Sequence, residues 1–312
     1  METSRGFSRR DFLRLAAGAT VAGGASLALG ARAAEAAKGK KAHGGGVPRG
    51  KIGIQLYSVR DQMEADFEGT LAAIAAIGYP EVEFAGFYGR SAEQVRTTID
   101  GLGLKAPSSH EDLLSGDRAR NERTLETAAT LGERWIVHPY YKGATLDDYR
   151  IQAEKLNEVG ALARSYGIKA GYHNHDHEFE PLEGSYGYSI LLDETDPKLV
   201  DMELDLYWAL DAVADYGNEE AEPLALFDRA PGRFTLFHVK DGVPADPLRD
   251  PHFEDVGEGV IDFSPIFAAR KQAGVKHYIN ERDDAPGDPE GSLGSAEDMY
   301  DNLVAEYGKG RR

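Results

Sequence analysis

The chain has 312 residues, 41% of them hydrophobic, and no cysteine; disulfide staples and thiolate chemistry are excluded, so any metal must be held by His, Asp, Glu or water. With 35 Lys and Arg against 53 Asp and Glu the net charge is −18, and such an acidic surface repels phosphate backbones and disfavours nucleic-acid binding. The length suits one α/β barrel with extras better than a single sandwich.

The N-terminus reads as an address. Ser8-Arg9-Arg10-Asp11-Phe12-Leu13 is a twin-arginine pattern, and a weakly apolar, Ala- and Gly-rich run follows from Leu15 to Leu29. Ala31-Arg32-Ala33 then offers a small-x-small cleavage site. Residues 1–33 are therefore expected to be a twin-arginine signal peptide, and the mature protein to be periplasmic or extracellular. A run this short and glycine-rich is a poor membrane span, so no stable span is expected in the mature form. Residues 34–50, with Gly44-Gly45-Gly46 and Pro48, read as a flexible linker.

From Lys51 to Gly308 short apolar runs alternate with longer stretches of helical period. Strands are expected at 52–56, 81–84, 105–108, 135–138, 169–172, 201–205, 235–239 and 278–280. Helices are expected at 66–76, 92–101, 121–131, 146–166, 211–216, 263–273 and 296–306. Gly78, Gly103, Gly132, Gly167 and Gly274 fall just before strands, where a C-cap glycine ends a helix. Eight strands with intervening helices predict a single-domain (β/α)8 barrel over 51–308. An open doubly wound sheet is the alternative, but no Gly-x-Gly-x-x-Gly follows the first strand.

The stretch from Tyr172 to Glu180 carries His173, His175 and His177 two residues apart, which on extended chain places all three on one face. With Asp176, Glu178 and Glu180 beside them they suggest a metal or acid–base site; a polar loop with surface histidines is the plain alternative. In a (β/α)8 barrel the active site lies at the C-terminal ends of the strands. Those ends offer Gln55 and Tyr57, Glu83, His110, His138, His173 and His175, Glu203 and Asp205, His238 and Lys240, and Glu281 and Asp283. One polar strand end is often a cap. Eight in succession, several next to apolar residues, need shared partners, and a divalent cation satisfies several at once.

In this order and spacing the motifs resemble the xylose isomerase-like TIM-barrel superfamily of sugar phosphate isomerases and epimerases. The matching stretches are Gly53-Ile-Gln-Leu-Tyr-Ser-Val-Arg60, Gly78-Tyr-Pro-Glu-Val-Glu83, His173-Asn-His175, Glu203-Leu-Asp205, Phe237-His-Val-Lys-Asp241, Val256-Gly-Glu-Gly-Val-Ile-Asp262 and Tyr278-Ile-Asn-Glu281. The resemblance implies one divalent metal on His173, Asp205, His238 and Glu281, with His175 the alternative to His173. Mn2+ fits a nitrogen and oxygen donor set, with Zn2+, Co2+ or Fe2+ as alternatives. One departure stands out: relatives that epimerise with two bases place a glutamate where this chain has His173, so of that pair Glu281 alone remains.

The implied chemistry is proton abstraction next to the carbonyl of a sugar or cyclitol, with a metal-stabilised enediolate. Glu281 and His175 are the candidate bases, with Glu83 and Glu203 as bases or hydroxyl-binding groups. Lys240 is a candidate for oxyanion neutralisation, or else for a surface salt bridge with Asp241. Tyr57, Tyr207 and Trp208 are candidates for stacking on a sugar, and His110 and His138 for pocket walls. Gly257-Glu258-Gly259 reads as a tight turn with Asp262 as the following helix N-cap. A lyase or dehydratase of the inosose or keto-glycoside type is the second reading, and a non-catalytic sugar-binding barrel the third. The acidic charge speaks against a nuclease on this fold; self-association into a homo-oligomer is left open.

Overall fold

In a computed structural model, residues 46–248 and 251–308 are described; the expected signal peptide and most of the expected linker lie outside them. Eight strands close into a parallel barrel in sequence order. They are β1 (Ile52–Gln55), β2 (Glu81–Phe84), β3 (Lys105–His110), β4 (Trp135–His138), β5 (Lys169–His173), β6 (Val200–Asp205), β7 (Phe234–Val239) and β8 (His277–Asn280). β8 closes on β1 with Gly53 paired to Ile279.

The barrel has two cores because strand side chains alternate in direction. Outward residues such as Ile54, Val82, Ile136, Met202 and Phe237 join the large core shared with the helices. Inward, Trp135, Val137, Leu236 and Ile279 form a small separate cluster. Gly171 belongs to this packing: a Cβ there would stand 2.9 Å from Val137 Cγ2. The inward residues nearer the C-terminal ends are almost all polar, and they build the site.

Helices end where glycine permits. Gly103, Gly132, Gly167 and Gly274 take left-handed φ between 73° and 89° at their helix ends, and Gly78 sits at φ 121°. The 146–166 helix runs as Leu146–Ala163 with a 3-10 turn at Arg164–Tyr166, and the 296–306 helix begins earlier, at Gly291.

Several expectations are corrected. The linker does not extend to residue 50: Val47 is fully buried and its N–H donates to Tyr307 O at 2.7 Å, which ties the chain to the final helix. The 263–273 helix is two short ones, Ser264–Ala268 and Arg270–Ala273, broken at Ala269. Asp262 precedes the first of them without being its N-cap; its carboxylate accepts from Ser264 N at 2.9 Å. No helix among the described residues is long and apolar enough to cross a membrane.

Candidate metal and catalytic site

The period of two that builds the strands also builds the site. Inward positions at the C-terminal mouth are Gln55 and Tyr57, Glu83 and Ala85, and His110 on the first three strands. On the last four they are His173 and His175, Glu203 and Asp205, His238 and Lys240, and Glu281 and Asp283. His173, Asp205, His238 and Glu281 are all buried, and one ligand atom from each lies within 4.8 Å of the others. A second set, His110, His173, Glu203 and His238, all but His110 buried, shares two of these histidines.

His238 is the hinge between the two sets. Its Nδ1 lies 2.8 Å from Glu281 Oε2, and its Nε2 lies 2.8 Å from Glu83 Oε1 and 3.2 Å from Glu203 Oε2. Burial opposes the charged imidazolium, but Glu203 and Glu281 outweigh it and hold the pKa well above the usual histidine value. His173 is the opposite case. Burial and the neighbouring His238 pull it down to about 3, so it stays neutral; its Nδ1 is 3.2 Å from Glu203 Oε2. Burial raises Asp205 to about 6, against the pull of Lys240. Glu281 is held well below the usual carboxylate range: burial acts the other way, and Lys240 and His238 overcome it.

This donor set fits a divalent cation. It offers a neutral imidazole, an imidazole whose far nitrogen already faces a carboxylate, and two carboxylates; Asp205 Oδ2 is buried with no hydrogen bond beyond its ion pair with the Lys240 ammonium at 3.1 Å. Asn174 fixes Asp205, its Oδ1 accepting the Asp205 N–H at 3.0 Å. Glu83 is fixed in turn by Gln55 Nε2 at 2.8 Å and by the Ser108 hydroxyl.

Above these groups is a cavity of about 420 Å3. One arc of its wall, on the β1–β4 side, is Tyr57, Ala85, Pro139 and Tyr140, with His110 between. The facing arc is His173, His175, Lys240, Glu281 and Asp283. Lys240 is buried, with Nζ 3.1 Å from Asp205 Oδ2, 2.9 Å from Glu281 Oε2 and 3.1 Å from Asp283 Oδ1. The surface pair with Asp241 does not form. Asp241 instead accepts the backbone N–H groups of Gly242, Gly257 and Ile261, and so shapes the Gly257–Gly259 turn.

The other expected residues divide. His175 lines the cavity beside His173, with their ring centroids 5.1 Å apart, but it is not in the four-donor set. Burial keeps it neutral, and its Nδ1 has no hydrogen-bond partner. His177 starts a 3-10 turn, so the three histidines do not share one strand face; its Nε2 lies 3.0 Å from Tyr141 O. Glu83 and Glu203 are fully buried beneath the cavity and do not line it. His138 is turned outward by strand alternation, where its Nδ1 accepts Leu113 N at 3.3 Å. Tyr207 is fully buried; Trp208 packs on Phe253 and lies 5.6 Å from the His175 ring. Glu258 is exposed and away from the cavity.

Two residues support the site in ways their place in the sequence does not show. Asn174 lay in plain view between the two histidines, but its partner is 31 residues away. Glu178 is fully buried; it accepts from Tyr172 Oη at 2.6 Å and His175 N at 2.8 Å, which fixes the backbone that carries His175.

Comparison with known proteins places the fold among sugar-acting barrels. An inosose dehydratase of Clostridium perfringens is 24% identical over 265 residues, covering 72% of this chain and 86% of that protein. A sugar phosphate isomerase/epimerase structure from Parabacteroides distasonis superposes with a TM-score of 0.68 at 25% identity, covering 83% of this chain and 96% of that one. The IolI protein, solved with a zinc atom, shares the fold at 15% identity and a TM-score of 0.61, covering 82% and 98% of the two chains. The model of the xylose isomerase-like TIM barrel family matches residues 71–299, and the chain belongs to that family.

Proposed function

We propose that this barrel is a metal-dependent enzyme that removes a proton next to the carbonyl of a sugar or cyclitol, as an isomerase or epimerase does. The observation that carries this reading is the meeting of His173, Asp205, His238 and Glu281, from the ends of β5 to β8, within 4.8 Å at one mouth. A divalent cation held by these four, Mn2+ or else Zn2+, Co2+ or Fe2+, would polarise a carbonyl and its neighbouring hydroxyl and acidify the adjoining C–H.

The side chains do the rest. Glu281 lines the cavity as a carboxylate and accepts the proton. Lys240, kept charged by Asp205, Asp283 and Glu281 against its own burial, neutralises negative charge that develops on a substrate oxygen. His175 presents a neutral imidazole that hydrogen-bonds a substrate hydroxyl or passes a proton across the cavity. Glu83 and Glu203 orient the imidazoles of His238 and His173 from below; their burial keeps them from the substrate, so the base role goes to Glu281.

Solvent exchange tests this. The metal-loaded protein should exchange an α-proton of a ketose or inosose for deuterium in D2O, and Glu281→Gln should abolish the exchange. No exchange across a panel of such substrates would remove the reading.

A second reading is elimination. Its support is His173 at the place where two-base epimerases carry glutamate, together with the dehydratase named among the relatives. The proton would leave in the same way and a β-oxygen substituent would follow it. A conjugated product absorbing in the ultraviolet separates this outcome from exchange alone. We also infer export, which the twin-arginine pattern at Arg9 and Arg10 supports; Lys at both positions should leave the protein in the cytoplasm.

A further inference from the structure

The cavity is two-sided. Four exposed large hydrophobic side chains, Tyr57, Tyr140, Leu248 and Val260, lie outside the strands, Tyr57 in the 3-10 turn Leu56–Val59, and two of them, Tyr57 and Tyr140, line the cavity itself. They are 44% and 53% exposed, although each ring is already held. The Arg60 guanidinium lies 4.1 Å from the Tyr57 ring centre, and Arg60 Nη1 and Nη2 are tied to Tyr57 O and Asp283 O. Tyr140 rests edge-on against His175 at 5.1 Å and tilted against His177 at 4.9 Å. Rings fixed in place and left open to solvent lose little freedom when a ligand covers them. With Ala85 and Pro139 they make an apolar wall facing the polar one.

The charges point the same way. Lys240 is the sole Lys or Arg among the described lining residues, and three carboxylates already neutralise it. Glu281 and Asp283 line the same wall. A phosphate, carrying about −1.5 to −2 charges at neutral pH, would find no basic side chain on that wall that is not already paired.

We infer that the substrate is uncharged and amphipathic: an unphosphorylated sugar or cyclitol carrying an apolar ring substituent, which packs against Tyr57 and Tyr140 while its polyol half faces His173, Lys240 and Glu281. This rests on the cavity being the sugar site proposed above.

Calorimetric titration of the metal-loaded full chain tests it with phenyl β-glucoside, methyl β-glucoside, glucose and glucose 6-phosphate. The phenyl glycoside should bind at least about tenfold more tightly than the methyl glycoside, and the phosphate more weakly than glucose. Tyr57→Ala and Tyr140→Ala should each pull the phenyl-to-methyl ratio toward one, with a smaller effect on the methyl glycoside alone. A wild-type ratio near one, a ratio that both variants leave intact, tighter binding of the phosphate, or no binding of either glycoside would overturn the inference. The deuterium-exchange assay reads the chemistry separately. Exchange with a ratio near one removes this inference and keeps the function; a tenfold ratio without exchange does the reverse.

Discussion

Glu83 Oε1 sits 2.8 Å from His238 Nε2, on the far side of the imidazole from the four-donor set. Both residues are fully buried, so the contact orients the ring and sets which nitrogen keeps its proton. Removing the charge while keeping the shape isolates that role. Glu83→Gln should lower divalent-metal affinity about 10- to 100-fold with the fold intact, measured by competition with a chelating dye. Unchanged affinity would reduce Glu83 to packing.

Lys240 and a bound cation share Asp205 and Glu281, so their charges compete. Lys240→Met should weaken the metal-free protein, because it leaves buried carboxylates without a partner, at a cost of about 3–5 kcal/mol. The same change should tighten metal binding, so that added metal recovers stability while deuterium exchange stays impaired. Thermal melts with and without metal check both signs. Weaker metal binding in the variant would contradict the account.

Glu133 is buried, with Oε2 accepting the Ser109 hydroxyl at 2.8 Å and Oε1 unpartnered. Burial pushes its pKa well above the usual value, so the folded state retains a proton that the unfolded chain releases. Its contribution to stability therefore falls as pH rises above the unfolded value of 4.5. Glu133→Gln should raise the melting temperature at pH 7 by about 2–4 °C for each kcal/mol relieved, and should do little near pH 4. An equal effect at both pH values would contradict this.

His138 titrates in the other sense. Burial lowers it from 6.5 to about 4, so the unfolded chain takes up its proton first as pH falls. The stability tied to the neutral ring is present above pH 6.5 and is lost as pH drops toward 4, by about 3 kcal/mol at most. Urea unfolding of His138→Asn across that window should show a flatter pH dependence than the wild type. Parallel curves would contradict it.

The strands were legible as short apolar runs set between stretches of helical period, and because glycine marks where the preceding helix stops. The rule that a (β/α)8 barrel works at the C-terminal ends of its strands located the mouth. Lys240 shows how far the rule reaches beyond a strand end. Two residues beyond His238 it remains inward and buried, and Asp241 beside it is turned to the backbone of the next turn. The helix Pro223–Arg229 left a readable signal, Glu222 as N-cap before a proline, and was passed over because it is short. The contact of Glu83 with His238 spans 155 residues and leaves no local trace; nor does that of Asn174 with Asp205. Such pairs exist only once the barrel has closed.

Elemental analysis of the purified protein, beside Asp205→Ala and Glu281→Ala variants shown by circular dichroism to be folded, tests the account most directly. The four-donor site predicts about one divalent ion per wild-type chain and a large loss in each variant. Equal metal content in all three proteins would contradict it.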